Sequence, residues 1–196
     1  MNNIKNPSKF YYWGGLLFHT KISKENSNKI LSLCKREENI NHLLAGHITE
    51  EYKIDKDMFF EIIKEHLNDY LIMGKQFYNQ SIGSSVKITQ AWVNFMKDSE
   101  FNPPHVHNAD LSCVLYLKVP EELKKENQDY KGTDNGAGSV CFSYGEPRPL
   151  NINTANIFPE ENDFFIFPAN MTHYVYPFKS KVERVSVSAN YYLIKW

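Results

Sequence analysis

The sequence predicts a mainly β chain in which a helical layer supports an antiparallel barrel or jelly roll. Three observations carry this. From residue 86 onward, "VKITQAWVNFM", "LSCVLYLKV", "SVCFSY", "DFFIFPA", "THYVYPF" and "ERVSVSANYYLI" are β-branched or aromatic runs separated by Pro, Gly and Asn, the punctuation of short antiparallel strands. Before them, two stretches keep helical spacing. Finally, 196 residues that are 42% apolar, with 12 Tyr and 13 Phe, suffice for one well-packed core and are few for two. We expect a single domain over 1–196, with 1–84 largely helical support and 85–196 the β core, carrying an insert near 121–138.

Taken in order, "WGGLLFHTKI" reads as a strand. Ser23 then caps a helix through "KENSNKILSLCKREE", whose Ile30, Leu31, Leu33 and Cys34 gather on one face. A second helix runs from near Asp55 to about Asn79, with Phe59, Ile62, Ile63, His66, Leu67, Tyr70 and Leu71 as its apolar stripe. His66 within that stripe reads as a packing residue, and Gly74 weakens the helix near its end. "EELKKENQDYKGTDNGAG" is charged and glycine-rich, the composition of a solvated insert between strands.

A net charge of −1 creates no global field toward nucleic acid or anionic membrane. Cys34, Cys113 and Cys141 are odd in number and lack CxxC spacing, so a disulfide framework is not expected, which fits a reducing cytoplasm. "YYWGGLLF" behind Lys5 and Lys9 lacks a small-residue cleavage site, and no stretch is long enough to cross a bilayer. We expect a cytoplasmic protein.

Chemistry concentrates in "FNPPHVHNAD". Pro103 and Pro104 force an extended backbone into His105, and a strand sends i and i+2 to one side. His105 and His107 then share a face, with Val106 opposite, and could chelate one ion. Two polar residues on a loop edge would look the same. His173 follows a Pro-bounded turn in "FPANMTHYVYPF". Eleven residues on, Arg184, Ser186 and Ser188 share one strand face while Val185, Val187 and Ala189 share the other. That face suits a buried carboxylate clamp, because a guanidinium binds a carboxylate bidentately. A surface arginine paired with Glu183 is the plain alternative.

The ordered set "HVH…LSCVLYL…FIFPANMTHYVYPF…ERVSVSAN", over roughly residues 90–192, resembles the iron(II)- and 2-oxoglutarate-dependent oxygenases, and most closely those of marine bacteriophages and bacteria; "LAGHI" at 44–48 is also similar to that group. The resemblance implies a double-stranded β-helix with helices packed outside. It implies His105 and His173 as iron ligands and Arg184 as the partner of the 2-oxoglutarate C5 carboxylate. Ser186 would help, Tyr116 would reach the same carboxylate, and Asn94 would line the pocket. At the family's usual carboxylate ligand this chain has His107. Either the site is three-histidine, or Asp110 turns back to supply an oxygen. Geometry favours His107, since Asp110 would face the wrong side of a continuous strand, where it could orient an imidazole instead; chemistry favours Asp110, since a carboxylate lowers the charge on the ion.

The implied activity is a dioxygenase that hydroxylates an organic substrate and decarboxylates 2-oxoglutarate to succinate, with Fe(II) and dioxygen. Trp92, Phe95, Phe165 and Phe167 would either dry its pocket or simply fill the core. If phage-encoded, it would work in the host cytoplasm. Two rivals remain on the sequence alone: a cupin-type metalloenzyme without 2-oxoglutarate, and a metal-free jelly-roll binding module. Neither the primary substrate nor the oligomeric state is written in any motif.

Overall fold

The computed structural model describes residues 14–133, 136–146, 149 and 153–194. Lys5 and Lys9, on which the reading of the N-terminal run leaned, lie outside the described residues. The chain forms β1 (Phe18–Lys21), α1 (Lys24–Leu33), β2 (Glu51–Lys53), α2 (Lys56–Tyr78), β3 (Ser85–Met96), β4 (Asn102–His105), β5 (Leu111–Lys118), α3 (Glu121–Gln128), β6 (Val140–Ser143), β7 (Thr154–Ile157), β8 (Asp163–Pro168), β9 (Thr172–Val175) and β10 (Arg184–Ile194). A single 3-10 turn at Asn41–Leu43 precedes β2.

Two antiparallel sheets face one another. The larger has the order β1-β8-β5-β10-β3-β2 and the smaller β4-β9-β6-β7. These non-sequential neighbours are the wrapping of a jelly roll. Strand alternation sorts the side chains. Val185, Val187 and Ala189 of β10 join Val93, Leu115 and Ile166 on the outer face of the larger sheet, where Ile30 of α1 and Phe59, Ile63, Leu67 and Tyr70 of α2 cover them. Burying each such side chain contributes roughly 1.5–3 kcal/mol, so the helical layer is held on by the face it hides. Between the sheets lies a second cluster containing Met96, Tyr116, Phe142, Phe165, Phe167 and Phe178.

The Ser23 cap and the approximate ends of the second helix match the sequence. Ser23 Oγ accepts from the Asn26 N–H at 3.2 Å, and Asp55 Oδ1 accepts from Asp57 and Met58 N–H, both at 3.0 Å. Asn79 closes α2 in the left-handed conformation at φ 53°, which asparagine tolerates. His66 packs edge-on against Phe164 with ring centroids 5.9 Å apart, as a packing residue. Gly74 is buried, and a Cβ there would strike the Ile82 side chain. Its role is close approach.

Three local expectations change. Helix α1 stops at Leu33, where the Cys34 N–H turns back to Leu31 O at 3.1 Å, and Leu31 is exposed. The charged run beyond it has no apolar face to bury. The supposed solvated insert contains α3, anchored by the fully buried Leu123. The apolar anchor outweighs a charged composition. Gly138, the last residue of that insert, has φ 71°, and its carbonyl accepts from Arg184 in the interior, with consequences described below. None of the three cysteines forms a disulfide among the described residues, and Cys113 and Cys141 are buried.

Candidate active site

Strand β4 is an edge strand, the position at which two prolines cost no ladder hydrogen bonds. In its pairing with β9, His105 lies directly opposite His173, and their ring centroids are 4.3 Å apart. The strand ends at His105. His107 is delivered by a turn in which its N–H donates to Ala169 O at 2.9 Å, leaving Val106 outside and 53% exposed. The His107 ring sits 5.0 Å from each of the other two. His105 and His107 therefore share a side as expected, but through a turn at the strand end.

The second nitrogen of two of these rings is fixed. Nδ1–H of His105 donates to Pro103 O at 2.7 Å, and Nδ1–H of His173 donates to Met171 O at 3.0 Å. Each bond leaves the Nε2 lone pair free for a metal. His107 Nε2 and His173 Nε2 stand 3.2 Å apart, and one nitrogen from each ring falls within 4.8 Å of the others. Burial disfavours the charged imidazoles. It pushes His107 down to about 4 and His173 down to about 3, with neighbouring histidines adding to the effect, and it lowers His105 as well. Three neutral imidazoles on one side are a donor set suited to a borderline divalent ion such as iron(II) or zinc.

Behind the histidines, cross-strand register lines up four polar side chains. Glu51, Asn94, Ser186 and Tyr116 are successive partners across β2, β3, β10 and β5, and all four are buried. Such a row is costly in a core unless each group finds a partner. Asn94 Nδ2 donates to Ser186 Oγ at 3.4 Å and Ser186 O at 3.5 Å. Yet Glu51 Oε2, Asn94 Oδ1, the Tyr116 hydroxyl and Arg184 Nε have no hydrogen-bond partner among the described residues.

Arg184 is only 1% exposed, two residues from Ser186 on the same face. Nη1 donates to Gly138 O at 3.0 Å and Nη2 approaches Met96 Sδ at 2.9 Å, while the guanidinium carbon lies 5.3 Å from the Tyr116 ring centroid. Desolvation lowers its pKa, and the only group that raises it is Tyr116. A buried guanidinium held by a carbonyl, a thioether and a ring keeps an unspent demand for an anion. The surface pairing belongs instead to Glu183, which holds Arg36 at 2.8 Å.

One chamber between the sheets is lined by His105, His107, His173, Asn94, Tyr116, Ser186 and Arg184 together. Asp110 is elsewhere: it is exposed, and its Oδ2 accepts from the Leu193 N–H at 2.8 Å. Of the aromatics, Trp92 and Phe167 line the chamber. Phe165 packs beneath it against Tyr116. Phe95 faces the opposite side of its strand, under Arg36. Sequence reasoning missed Glu51 and Asn102, which also line the chamber. Glu51 sits in a three-residue strand too short to show a period.

A jelly roll with convergent histidines at one end and an unpaired arginine deep within defines a non-haem metalloprotein fold. A family profile described as "Putative 2OG-Fe(II) oxygenase" matches residues 90–190, the span that runs from within β3 to within β10. The chain belongs to that family. It is therefore an enzyme, an Fe(II)- and 2-oxoglutarate-dependent oxygenase on a double-stranded β-helix. No curated protein sequence matches it significantly.

Among solved structures, a 2OG-Fe(II) oxygenase family oxidoreductase from Burkholderia pseudomallei superposes with a TM-score of 0.57 at 11% identity, over 89% of this chain and 83% of that one. The viral collagen prolyl hydroxylase of Paramecium Bursaria Chlorella virus-1, in complex with 2OG, gives 0.56 at 13%, over 88% and 93%. HygX from Streptomyces hygroscopicus, with nickel and 2-oxoglutarate bound, gives 0.55 at 10%, over 92% and 85%. At such identities the likeness is one of fold. No helix among the described residues is long and apolar enough to cross a membrane.

Proposed function

We propose that this oxygenase hydroxylates an organic substrate at a three-histidine iron site made by His105, His107 and His173, with Arg184 as the anchor of 2-oxoglutarate. Iron, 2-oxoglutarate and dioxygen together supply the oxidising chemistry, in which the keto acid is decarboxylated to succinate. The chain's own residues bind, orient and exclude water. His105 and His173, held through Nδ1 by Pro103 and Met171, keep their Nε2 atoms aimed at the metal position. His107 takes the place usually given to a carboxylate, so the ligand set is neutral and leaves the ion its full double charge.

The observation that carries the reading is the buried Arg184 guanidinium, with Nε unpartnered and no acid paired to it among the described residues, beside the unpartnered Tyr116 hydroxyl. A carboxylate delivered there would meet two charge-assisted donors and a phenol in a desolvated setting. Ser186 adds a hydroxyl, and Asn94 borders the same space. Phe167, which packs 4.8 Å from the His173 ring, and Trp92 keep the chamber apolar around the metal position. A cupin-type enzyme without 2-oxoglutarate has no use for a fully buried, unpaired arginine.

The test is anaerobic titration of the iron-loaded protein with 2-oxoglutarate, followed by the metal-to-ligand absorption band, and succinate formation on admitting air. Stoichiometric binding with succinate release is the expected result. Iron binding without any 2-oxoglutarate binding would overturn the assignment of Arg184.

A further inference from the structure

Glu51 has no part in the iron or 2-oxoglutarate chemistry, yet it lies in the same chamber, 1% exposed and with Oε2 lacking a hydrogen-bond partner. A carboxyl in that position is expensive, since nothing among the described residues pairs with its charge. Its neighbours in the chamber make the demand more specific. Asn94, its cross-strand partner, spends its Nδ2 on Ser186 and leaves Oδ1 unpartnered. Gly46, in the loop that lines this end of the chamber, lets the Asn102 and Glu51 side chains come close: a Cβ there would strike Asn102 Oδ1 and stand 3.3 Å from Glu51 Oε1. Glu51 Oε2 and Asn94 Oδ1 thus present acceptors that no donor among the described residues answers, with the Asn102 carboxamide oxygen close by.

We propose that Glu51, with Asn94 and Asn102, is the specificity pocket for the primary substrate, and that the substrate carries a basic nitrogen, an ammonium or guanidinium group. Those groups are donors only, which is what the unanswered Glu51 and Asn94 oxygens call for. Glu51, Asn94 and Asn102 line the same chamber as His105 and His107, which gives that nitrogen a seat beside the histidines. Burial, reinforced by Glu100, pushes the Glu51 carboxyl up to about 8. The pocket is thus held neutral until a cation pairs with it. This assignment rests on the reading of the metal and 2-oxoglutarate sites given above.

The experiment uses the iron- and 2-oxoglutarate-loaded enzyme without oxygen and reads the perturbation of its charge-transfer band. The probes are L-arginine, L-lysine, agmatine and spermidine, each at up to millimolar concentration, with L-citrulline and Nε-acetyl-L-lysine as uncharged counterparts. At least one cationic probe should shift the band, its uncharged counterpart should not, and Glu51→Gln should weaken the cation at least tenfold. Glu51→Asp, which keeps the charge, should recover part of the loss. Three results overturn the proposal: no cationic probe acting on a holoenzyme that does bind 2-oxoglutarate, equal binding to wild type and Glu51→Gln, or a matching loss of 2-oxoglutarate affinity in Glu51→Gln. Failure of the wild type to bind 2-oxoglutarate at all would sink the earlier reading instead, so the two are told apart in one titration.

Discussion

His107 Nε2 lies 3.2 Å from His173 Nε2, although the two residues are 66 positions apart and only one of them is in a strand. Two buried imidazole nitrogens that close are tolerable because burial keeps both rings neutral, well below the ordinary histidine range, so that a His107 Nε2–H can donate to the His173 Nε2 lone pair. Protons therefore compete weakly for these ligands near neutrality. Cobalt(II) affinity, read from its visible bands, should change little between pH 8 and pH 6, whereas exposed histidines would begin to protonate through 6.5. A tenfold or larger loss per pH unit over that window would mean the rings are not held neutral. His105→Ala should abolish stoichiometric binding of the metal while circular dichroism stays that of the fold.

The competing oxygen ligand can be tested by two substitutions. Asp110 spends its carboxylate on the Leu193 N–H, at the far end of β10, so Asp110→Ala should lower thermal stability modestly, by about 1 kcal/mol for a lost charge-assisted bond on the surface. Iron affinity should fall less than tenfold. His107→Ala should remove iron binding outright. Equal and complete losses in the two variants would place Asp110 on the metal.

Arg184→Leu should separate metal from co-substrate. Charge-assisted hydrogen bonds are worth roughly 1.5–3 kcal/mol each, so removing two should cost about two to four orders of magnitude in 2-oxoglutarate affinity. Iron affinity should barely change, because the guanidinium is no ligand. Arg184→Lys should rescue only part, since an ammonium keeps the charge but loses the fork. Unchanged 2-oxoglutarate binding in Arg184→Leu would reject the clamp.

What the sequence makes legible here is periodic. The alternation in "RVSVSAN" placed Arg184, Ser186 and Ser188 on the inner face and Val185, Val187 and Ala189 under the helices, because β10 is long and one side of it is covered. The cap at Ser23 and the approximate ends of α2, near Asp55 and Asn79, were legible because they depend on one or two neighbouring residues. Features made by distant chain segments were not. The chain turns after His105, and that turn is held by Ala169, more than sixty residues on, so an argument from a continuous strand reached the right face by the wrong backbone. Strand β2 is invisible in "TEEYKI", where two adjacent acids have opposite fates. Glu50 pairs with Arg36 and Lys97 outside, and Glu51 turns inward only because β2 docks on β3.

That inward turn has a cost that pH should reveal. The Glu51 carboxyl is raised from 4.5 to about 8, first by burial and then by Glu100. Below pH 4.5 the group is protonated in both folded and unfolded chains and costs nothing. Between pH 4.5 and 8 the unfolded chain releases its proton while the folded one holds on, so stability contributed at this position falls as pH rises, and the fall levels off above 8. Glutamine has the same shape and no proton to lose. Glu51→Gln should therefore melt close to wild type at pH 5 and distinctly higher at pH 8, the gap widening by about 2–5 kcal/mol across that window. Paired thermal melts of the metal-free proteins measure the gap directly, and titrations common to both cancel in it. A gap that stays constant from pH 5 to pH 8 would show that Glu51 is ionised in the fold, already paired with a cation.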